Sequence, residues 1–181
     1  MALDDLVPIP PKDSVNTNLS SARESTMLKA LGRPGALTDD CSAASGPFLK
    51  RVKSGVDVGP FKVTGLDYAV ETLLQLFQEL KADAPDVHAA VKTAGMLCVR
   101  HRRNNPARYS NHSWGSAIDL YFGKRVVAQG EPKAYRGIVL LVPYFNRHGW
   151  YWGGEFSGDS VDSMHFELSD ETILKLPNLK K

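Results

Sequence analysis

The sequence is poor in cysteine, and it has neither a long apolar run nor a large excess of charge of one sign. Two cysteines, Cys41 and Cys98, are too few for a disulfide framework; we expect two unpaired thiols, and the alternative is a single bridge between them. The longest apolar run, GIVLLVPYF, is far too short to span a membrane, and the N-terminus lacks the basic start and apolar core of a signal peptide. We therefore expect synthesis in the cytoplasm and no membrane insertion.

The charge and composition exclude further classes of protein. The formal net charge is +2, and the lysines and arginines do not form the dense stripe typical of nucleic-acid-binding proteins, so nucleic acid is not an expected partner. A content of 43% hydrophobic and 23% charged residues is typical of a globular protein. A length of 181 residues suits one domain with a substantial core.

The first third of the sequence differs from the rest. Residues 1–60 are rich in proline, serine, glycine and aspartate, with one short helix candidate in ARESTMLKALG that Gly32 and Pro34 would end. We predict that residues 1–60 form an N-terminal arm packed on a main unit of residues 61–181.

Two longer helices are predicted in the main unit. From Leu66 onward apolar residues recur at helical spacing, and Thr64 and Asp67 are placed as a capping box. The segment KAYRGIVLLVPYFNRHG predicts a second helix, strained at Pro143 and ended by Gly149.

Three short segments have the apolar, β-branched and aromatic content of strands: MLCVRHR (96–102), SAIDLYF (116–122) and SMHFEL (163–168). Together with the helices they predict an α+β fold, in which helices flank a small antiparallel sheet.

Polar residues that could bind a metal or take part in catalysis lie on two of these strands. Because side chains alternate across a strand, Asp119 projects from the face opposite the apolar residues of its strand. His165 and Glu167 likewise project from the face opposite the apolar residues of the strand SMHFEL. If the two strands share a sheet, Asp119 and His165 meet. His112 precedes Gly115, in a turn that lets its imidazole fold back over the following strand.

Two imidazoles and one carboxylate, with no fourth protein ligand evident, form the ligand set of catalytic zinc sites. His112, Asp119 and His165 are therefore the candidate ligands of one zinc ion. The alternative is that these side chains make ordinary polar contacts.

The segments SNHSWGSAIDL and DSMHFEL together resemble the D-alanyl-D-alanine carboxypeptidase and L-alanyl-D-glutamate endopeptidase family of zinc peptidases, which cut peptidoglycan stem peptides. The family pattern is Ser-x-His-x-x-Gly-x-Ala-x-Asp, followed by an acid three residues before a second histidine. The chain matches this pattern at Ser110, His112, Gly115, Ala117, Asp119, Asp162 and His165. The resemblance implies a hedgehog/DD-peptidase-like fold, with residues 61–181 as the catalytic domain and one zinc ion per chain.

The resemblance also implies roles for residues around the zinc. Asp162 occupies the position of the general base, and Glu167 is either a rival base or a residue that orients an imidazole. An arginine upstream of the first ligand holds the scissile carbonyl or a substrate carboxylate in the family. We choose Arg100 for this role over Arg102 and Arg103. The alternative interpretation of Arg102 and Arg103 is a solvent-exposed basic edge with no role at the site.

Two further residues are candidates for contact with the substrate. Ser110 lies in the first motif, and Trp152 ends the aromatic run in RHGWYWGG, which could form a wall of the substrate groove. The alternative for Trp152 is packing in the core.

These residues predict a zinc metallopeptidase that acts on stem peptides, as a cell-wall-degrading phage lysin or an antibacterial effector. Because such a substrate lies in the periplasm or cell wall, a chain without an export signal would need a holin or a contact-dependent secretion system, and an effector would have an immunity protein. One alternative is a catalytically inactive, zinc-containing module that binds wall peptides. Another is a non-haem iron oxygenase, which shares the ligand set but commonly begins it with His-x-Asp in a β-barrel.

Overall fold

The computed structural model describes residues 1–103 and 105–177. The fold mixes several helices with small antiparallel sheets, as predicted. The helices are α1 (Glu24–Leu31), α2 (Asp67–Asp83), α3 (Pro85–Ala90), α4 (Arg136–Arg147) and α5 (Asp170–Leu174). The strands are β1 (Leu6–Pro8), β2 (Val52–Asp57), β3 (Lys62–Leu66), β4 (Lys92–Gly95), β5 (His101–Arg102), β6 (Asn105–Tyr109), β7 (Ala117–Tyr121), β8 (Lys133–Tyr135), β9 (Trp150–Trp152) and β10 (His165–Leu168).

The largest sheet has four strands in the order β4-β7-β10-β9, all antiparallel. Two of the three predicted strands, SAIDLYF and SMHFEL, are confirmed as β7 and β10. Their register places His165 opposite Asp119 and Phe166 opposite Ile118. Since Ile118 and Phe166 are fully buried in the core, Asp119 and His165 project together from the other face of the sheet.

The long predicted helices are present with changed ends. The apolar stripe of α2 is confirmed, and its buried residues are Ala69, Val70, Thr72, Leu73, Leu76, Phe77 and Leu80. The predicted capping box is wrong, because Thr64 lies in β3 and its hydroxyl accepts a hydrogen bond from the Gly55 amide. The second helix, α4, begins at Arg136 because the three preceding residues form β8, which pairs with β1. Pro143 lies within α4 on its exposed side.

The predicted strand over 96–102 is confirmed only at its end, where His101–Arg102 form β5 and pair with β6; the rest of the prediction is wrong. The strand that pairs with β7 is β4, and its register shifts before Gly95, where a φ of +129° turns the chain away from the sheet. The following residues bind a neighbouring turn instead. The Cys98 amide donates to the His112 carbonyl at 3.0 Å, and the Arg100 amide donates to the Ser113 hydroxyl at 3.1 Å.

Cys41 and Cys98 form a disulfide, so the prediction of two unpaired thiols is wrong. Ser42 and Val99 form an isolated antiparallel bridge with an amide-to-carbonyl bond in each direction. This bridge holds the two segments side by side, and the cysteine Cα atoms lie 5.1 Å apart, within the range of disulfides. A pairing across 57 positions leaves no local pattern from which it could be predicted.

Residues 1–60 contribute both to sheets and to the core. β1 pairs with β8, and β2 pairs with β3. Met27, Leu31 and Phe48 are at most 1% exposed and belong to the main hydrophobic cluster. Within the described parts of the chain, no helix has the length and apolar character needed to cross a membrane.

Candidate metal centre

A tight turn places the first candidate ligand. His112 lies in the 3₁₀ turn Asn111–Trp114, which Gly115 ends with a φ of +56°. A Cβ at Gly115 would lie 2.5 Å from the Gly65 Cα, so this position requires glycine for its conformation and for its space. Trp114 anchors the turn, because it is fully buried and its indole N–H donates to the Gly32 carbonyl at 2.8 Å. The predicted turn at His112 is confirmed.

The three candidate ligands converge. His112 Nε2 and His165 Nδ1 each lie 3.2 Å from Asp119 Oδ1, and the two nitrogens lie 3.2 Å from each other. Donor atoms that bind tetrahedral zinc at about 2.0–2.1 Å are separated by about 3.3 Å. His112, Asp119 and His165 are therefore a group that could hold a metal ion, and their nitrogen and oxygen donors suit zinc.

Each imidazole is oriented by a hydrogen bond on its far side. His112 Nδ1–H donates to the Met96 carbonyl at 2.8 Å, and His165 Nε2–H donates to Glu167 Oε2 at 2.8 Å. A neutral imidazole that donates from one nitrogen presents a lone pair on the other. His112 Nε2 and His165 Nδ1 thus present lone pairs to the point that they share with Asp119. Orienting bonds of this kind are typical of metal-binding histidines.

Glu167 is fully engaged in these contacts. It is 2% exposed and accepts hydrogen bonds from His165, Asn111 Nδ2 at 2.7 Å, Ser21 Oγ at 2.7 Å and the Ala22 amide at 2.9 Å. Burial alone would raise the pKa of Glu167, but His165 and the other donors outweigh it and hold the pKa below its usual value. A carboxylate with all its oxygens occupied favours the orienting role over that of the general base.

The charged groups of the centre shift one another's pKa values. Burial alone would raise the pKa of Asp119, but His112 and His165 outweigh it and hold that pKa well below its usual range. Burial alone would lower the pKa of His165, but Asp119 and Glu167 outweigh it and raise the pKa to about 10. Because a metal binds the neutral form of an imidazole, binding at His165 would compete with its protonation and would be weakened at low pH.

Asp162 lines the same cleft as the three candidate ligands, and one of its carboxylate oxygens accepts no hydrogen bond from the described residues. Its Oδ1 is buried and has no hydrogen-bond partner within the described residues. Burial raises the pKa of Asp162, against the opposing effect of His165. Its backbone is fixed, since the Asp162 amide donates to the Gly153 carbonyl at 3.0 Å. An unpaired carboxylate oxygen with a raised pKa, next to a metal site, has the properties of a general base.

The centre opens into a cleft with a cavity of about 350 Å³, whose lining includes the three candidate ligands and Asp162. Ser110 also lines this cavity. Phe156 lines it as well, with its ring centroid 5.9 Å from that of His165. No motif in the sequence distinguished Phe156 from other aromatic residues.

All three candidate arginines line the cleft. Arg100 is half-buried and its Nη1 donates to the His101 carbonyl at 2.9 Å. Burial lowers the pKa of Arg100, with Arg103 acting in the same direction and with Asp119 and Asp162 opposing. Arg102 is tied through Nε to the Tyr109 carbonyl at 3.1 Å, and Arg103 is exposed. The proximity of Arg100 to both carboxylates favours it for the contact with the reacting group.

Trp152 is not a wall of the cleft, and this prediction is wrong. The side chain is fully buried, and its indole N–H donates to the Ser163 carbonyl at 2.9 Å. Its ring packs on Phe166 with centroids 6.5 Å apart. Since β9 borders β10 in the sheet, the alternation of side chains turns Trp152 into the core.

Residues 103–168 match the model of a family described as D-alanyl-D-alanine carboxypeptidase. This segment is similar to a family of peptidases. The matched segment covers more than a third of the chain and contains the three candidate ligands, Asp162 and Glu167, but neither Arg100 nor Ser21. A search of curated proteins found no match to the chain. The similarity supports a hydrolase of the peptidase class, and the His-Asp-His group agrees with a metallopeptidase.

Proposed function

We propose that the protein is a zinc-dependent peptidase that hydrolyses a peptide bond in peptidoglycan stem peptides. The observation that carries this proposal is the combination, in one cleft, of three donor atoms with mutual separations of 3.2 Å and an adjacent buried oxygen of Asp162 without a partner. The match of residues 103–168 to the D-alanyl-D-alanine carboxypeptidase model supports the substrate class.

The residues divide the chemistry between them. Zinc held by His112, Asp119 and His165 would supply a Lewis acid that polarises the scissile carbonyl and makes a water molecule more acidic. The Asp162 carboxylate, which lines the cleft, accepts the proton of the attacking water and passes it to the amine that leaves. Because burial raises the pKa of Asp162, its carboxylate is a stronger base than that of an exposed aspartate. The protonated carboxyl group can then hold the proton until it is transferred to the departing amine.

The three arginines of the cleft would bind the carboxylates of an acidic substrate. Arg100 lines the cleft and its charge interacts with those of Asp119 and Asp162, where it would hold the scissile carbonyl or a neighbouring carboxylate. Arg102 and Arg103 extend the positive edge along the cleft. Stem peptides carry several carboxylates, which suit such an edge.

The finer identity is part of the same proposal. The reaction is that of a D-alanyl-D-alanine carboxypeptidase or of an L-alanyl-D-glutamate or DD-endopeptidase, on a hedgehog/DD-peptidase-like fold. The protein acts in the periplasm or cell wall as a lysin or as an antibacterial effector. A holin or a contact-dependent secretion system delivers it, and in the second case an immunity protein protects the producing cell.

Digestion of purified stem peptides tests the proposal. Zinc-loaded protein should release terminal D-alanine or cut after L-alanine, as seen by mass spectrometry, and a chelator or His165→Ala should abolish the cleavage. His148→Ala is the matched control, because that imidazole binds Glu79 at the surface, away from the cleft. If the wild-type protein holds zinc and leaves every stem peptide intact, it is a binding module and the proposed activity is wrong.

A further inference from the structure

The carboxylate of Glu167 joins a candidate ligand to the N-terminal arm. Its Oε2 accepts from His165 Nε2 at 2.8 Å and from Asn111 Nδ2 at 2.7 Å. Its Oε1 accepts from Ser21 Oγ at 2.7 Å and from the Ala22 amide at 2.9 Å. Ser21 and Ala22 lie more than eighty residues before the segment that matches the peptidase family. The orientation of a ligand therefore depends on residues far from the motif.

Two neighbouring carboxylates fix the arm at this point. Ser20 donates to Glu171 from its amide at 2.8 Å and from its hydroxyl at 2.7 Å. Arg23 donates to Asp170 from its amide at 3.0 Å and from its guanidinium at 2.9 and 2.6 Å. The Asp170 amide returns a bond to the Ser20 carbonyl at 2.9 Å. These contacts hold Ser21 in place without involving Glu167.

Burial makes the contact of Ser21 difficult to replace. Glu167 and Ala22 are each 2% exposed, so the carboxylate depends on protein donors. Removing one donor from a buried anion leaves it with an unmet requirement for a hydrogen bond, which is more costly than the loss of an exposed bond. The carboxylate would keep its bonds from the Ala22 amide, Asn111 and His165, but it would be held less firmly, and so would the imidazole that it orients.

We propose that Ser21 is a positioning residue of the metal centre: it holds Glu167, and Glu167 directs His165 Nδ1 to the metal. This inference rests on the proposed zinc site. It has a thermodynamic consequence, because two events that stabilise the same arrangement promote each other. Zinc binding should favour the docked arm, and a docked arm should strengthen zinc binding.

The test measures zinc affinity by competition with a chromophoric chelator. Ser21→Ala should weaken zinc binding about 5–10-fold, at or below the lower end of the range for direct partners of metal ligands, because Ser21 acts through Glu167. Ser20→Ala is the matched control, since it removes a serine-to-glutamate bond of the same 2.7 Å length from the same arm, to a carboxylate that does not contact an imidazole. Its zinc affinity should stay within about 2-fold of wild type, because the Ser20 amide and Arg23 still bind Glu171 and Asp170 and keep Ser21 in place. Ser21→Thr, which keeps the hydroxyl, should retain most of the affinity.

Trypsin provides a second measurement on the unmodified chain. Cleavage after Arg23 requires the arm to leave Asp170, so zinc should slow this cleavage in the wild-type protein. Equal zinc affinity in Ser21→Ala, Ser20→Ala and wild type would overturn the role of Ser21 while leaving the zinc site intact. If the wild type binds no zinc, the proposed site itself is wrong, and the inference falls with it. Should Ser21→Ala fail to fold, the absence of zinc protection at Arg23 in the wild type would overturn the inference.

Discussion

Replacing Asp162 with asparagine should stabilise the metal-free protein while it removes most of the activity. Asp162 Oδ1 is buried without a partner among the described residues, and burial raises the pKa of the carboxyl. The incompletely solvated anion therefore lowers the free energy of unfolding of the metal-free protein at neutral pH. Asparagine has the same shape and no charge, so the variant avoids this cost.

The sign of the pH dependence follows from the raised pKa. When the pKa of a carboxyl is higher in the folded chain than in the unfolded chain, stability is greatest below the unfolded value and is lost as pH rises through the folded value. The gain from Asp162→Asn should accordingly be full at neutral pH and vanish below the ordinary carboxyl range. Asparagine leaves the same buried atom without a partner, so the gain comes only from removing the charge. That difference is on the order of 1 kcal/mol, which in a chain of 181 residues corresponds to a rise in Tm of about 2–4 °C.

The assay compares thermal melts of metal-free protein at neutral pH and at about pH 3.5, below the usual carboxyl pKa. Activity on stem peptides should fall by roughly 10²–10⁴ with zinc still bound, as expected for loss of a general base. Asp159→Asn is the matched control, because Asp159 is an exposed aspartate three residues away. A variant at Asp162 with undiminished turnover, or with a lower Tm at neutral pH, would refute this reasoning.

Three further changes separate the remaining roles. Arg100→Ala should lower kcat/KM by roughly 10²–10³ while zinc content is unchanged, because a contact to the reacting carbonyl is lost; normal kinetics would move the role to Arg102 or Arg103. Glu167→Gln should weaken zinc binding about 10–100-fold by chelator competition, and a zinc-loaded but inactive Glu167→Gln beside an active Asp162→Asn would mean that Glu167 is the base. Reduction of the Cys41–Cys98 disulfide, which closes a loop of 57 positions, should lower the free energy of unfolding by about 3–4 kcal/mol in denaturant titrations, and an unchanged midpoint would contradict a closed disulfide.

The parts of the site that follow from local pattern could be predicted from the sequence. Alternation along two strands placed Asp119 and His165 on the same side of the sheet, and the observed register sets them directly opposite each other. The glycine after His112 indicated a turn, and the positive φ of Gly115 confirms it. These inferences succeeded because each depends on neighbours within a few positions.

The parts that depend on distant segments could not be predicted. The Met96 carbonyl orients His112, but a backbone acceptor has no signature in a sequence. The hydroxyl of Ser21 reaches Glu167 across 146 positions, and no periodicity records such a contact. Packing of Trp152 in the core was only the alternative prediction for a related reason, because the aromatic run alone does not tell which face of β9 packs on the core.

Zinc stoichiometry in the purified, folded protein tests the central claim most directly. Elemental analysis after incubation with excess zinc and removal of unbound metal should give one zinc per chain, since His112, Asp119 and His165 form one three-donor group. His165→Ala should lose this zinc, and His148→Ala, whose imidazole binds Glu79 at the surface, should keep it. A folded wild-type protein that retains no zinc, or one that holds iron and turns over 2-oxoglutarate, would contradict the account.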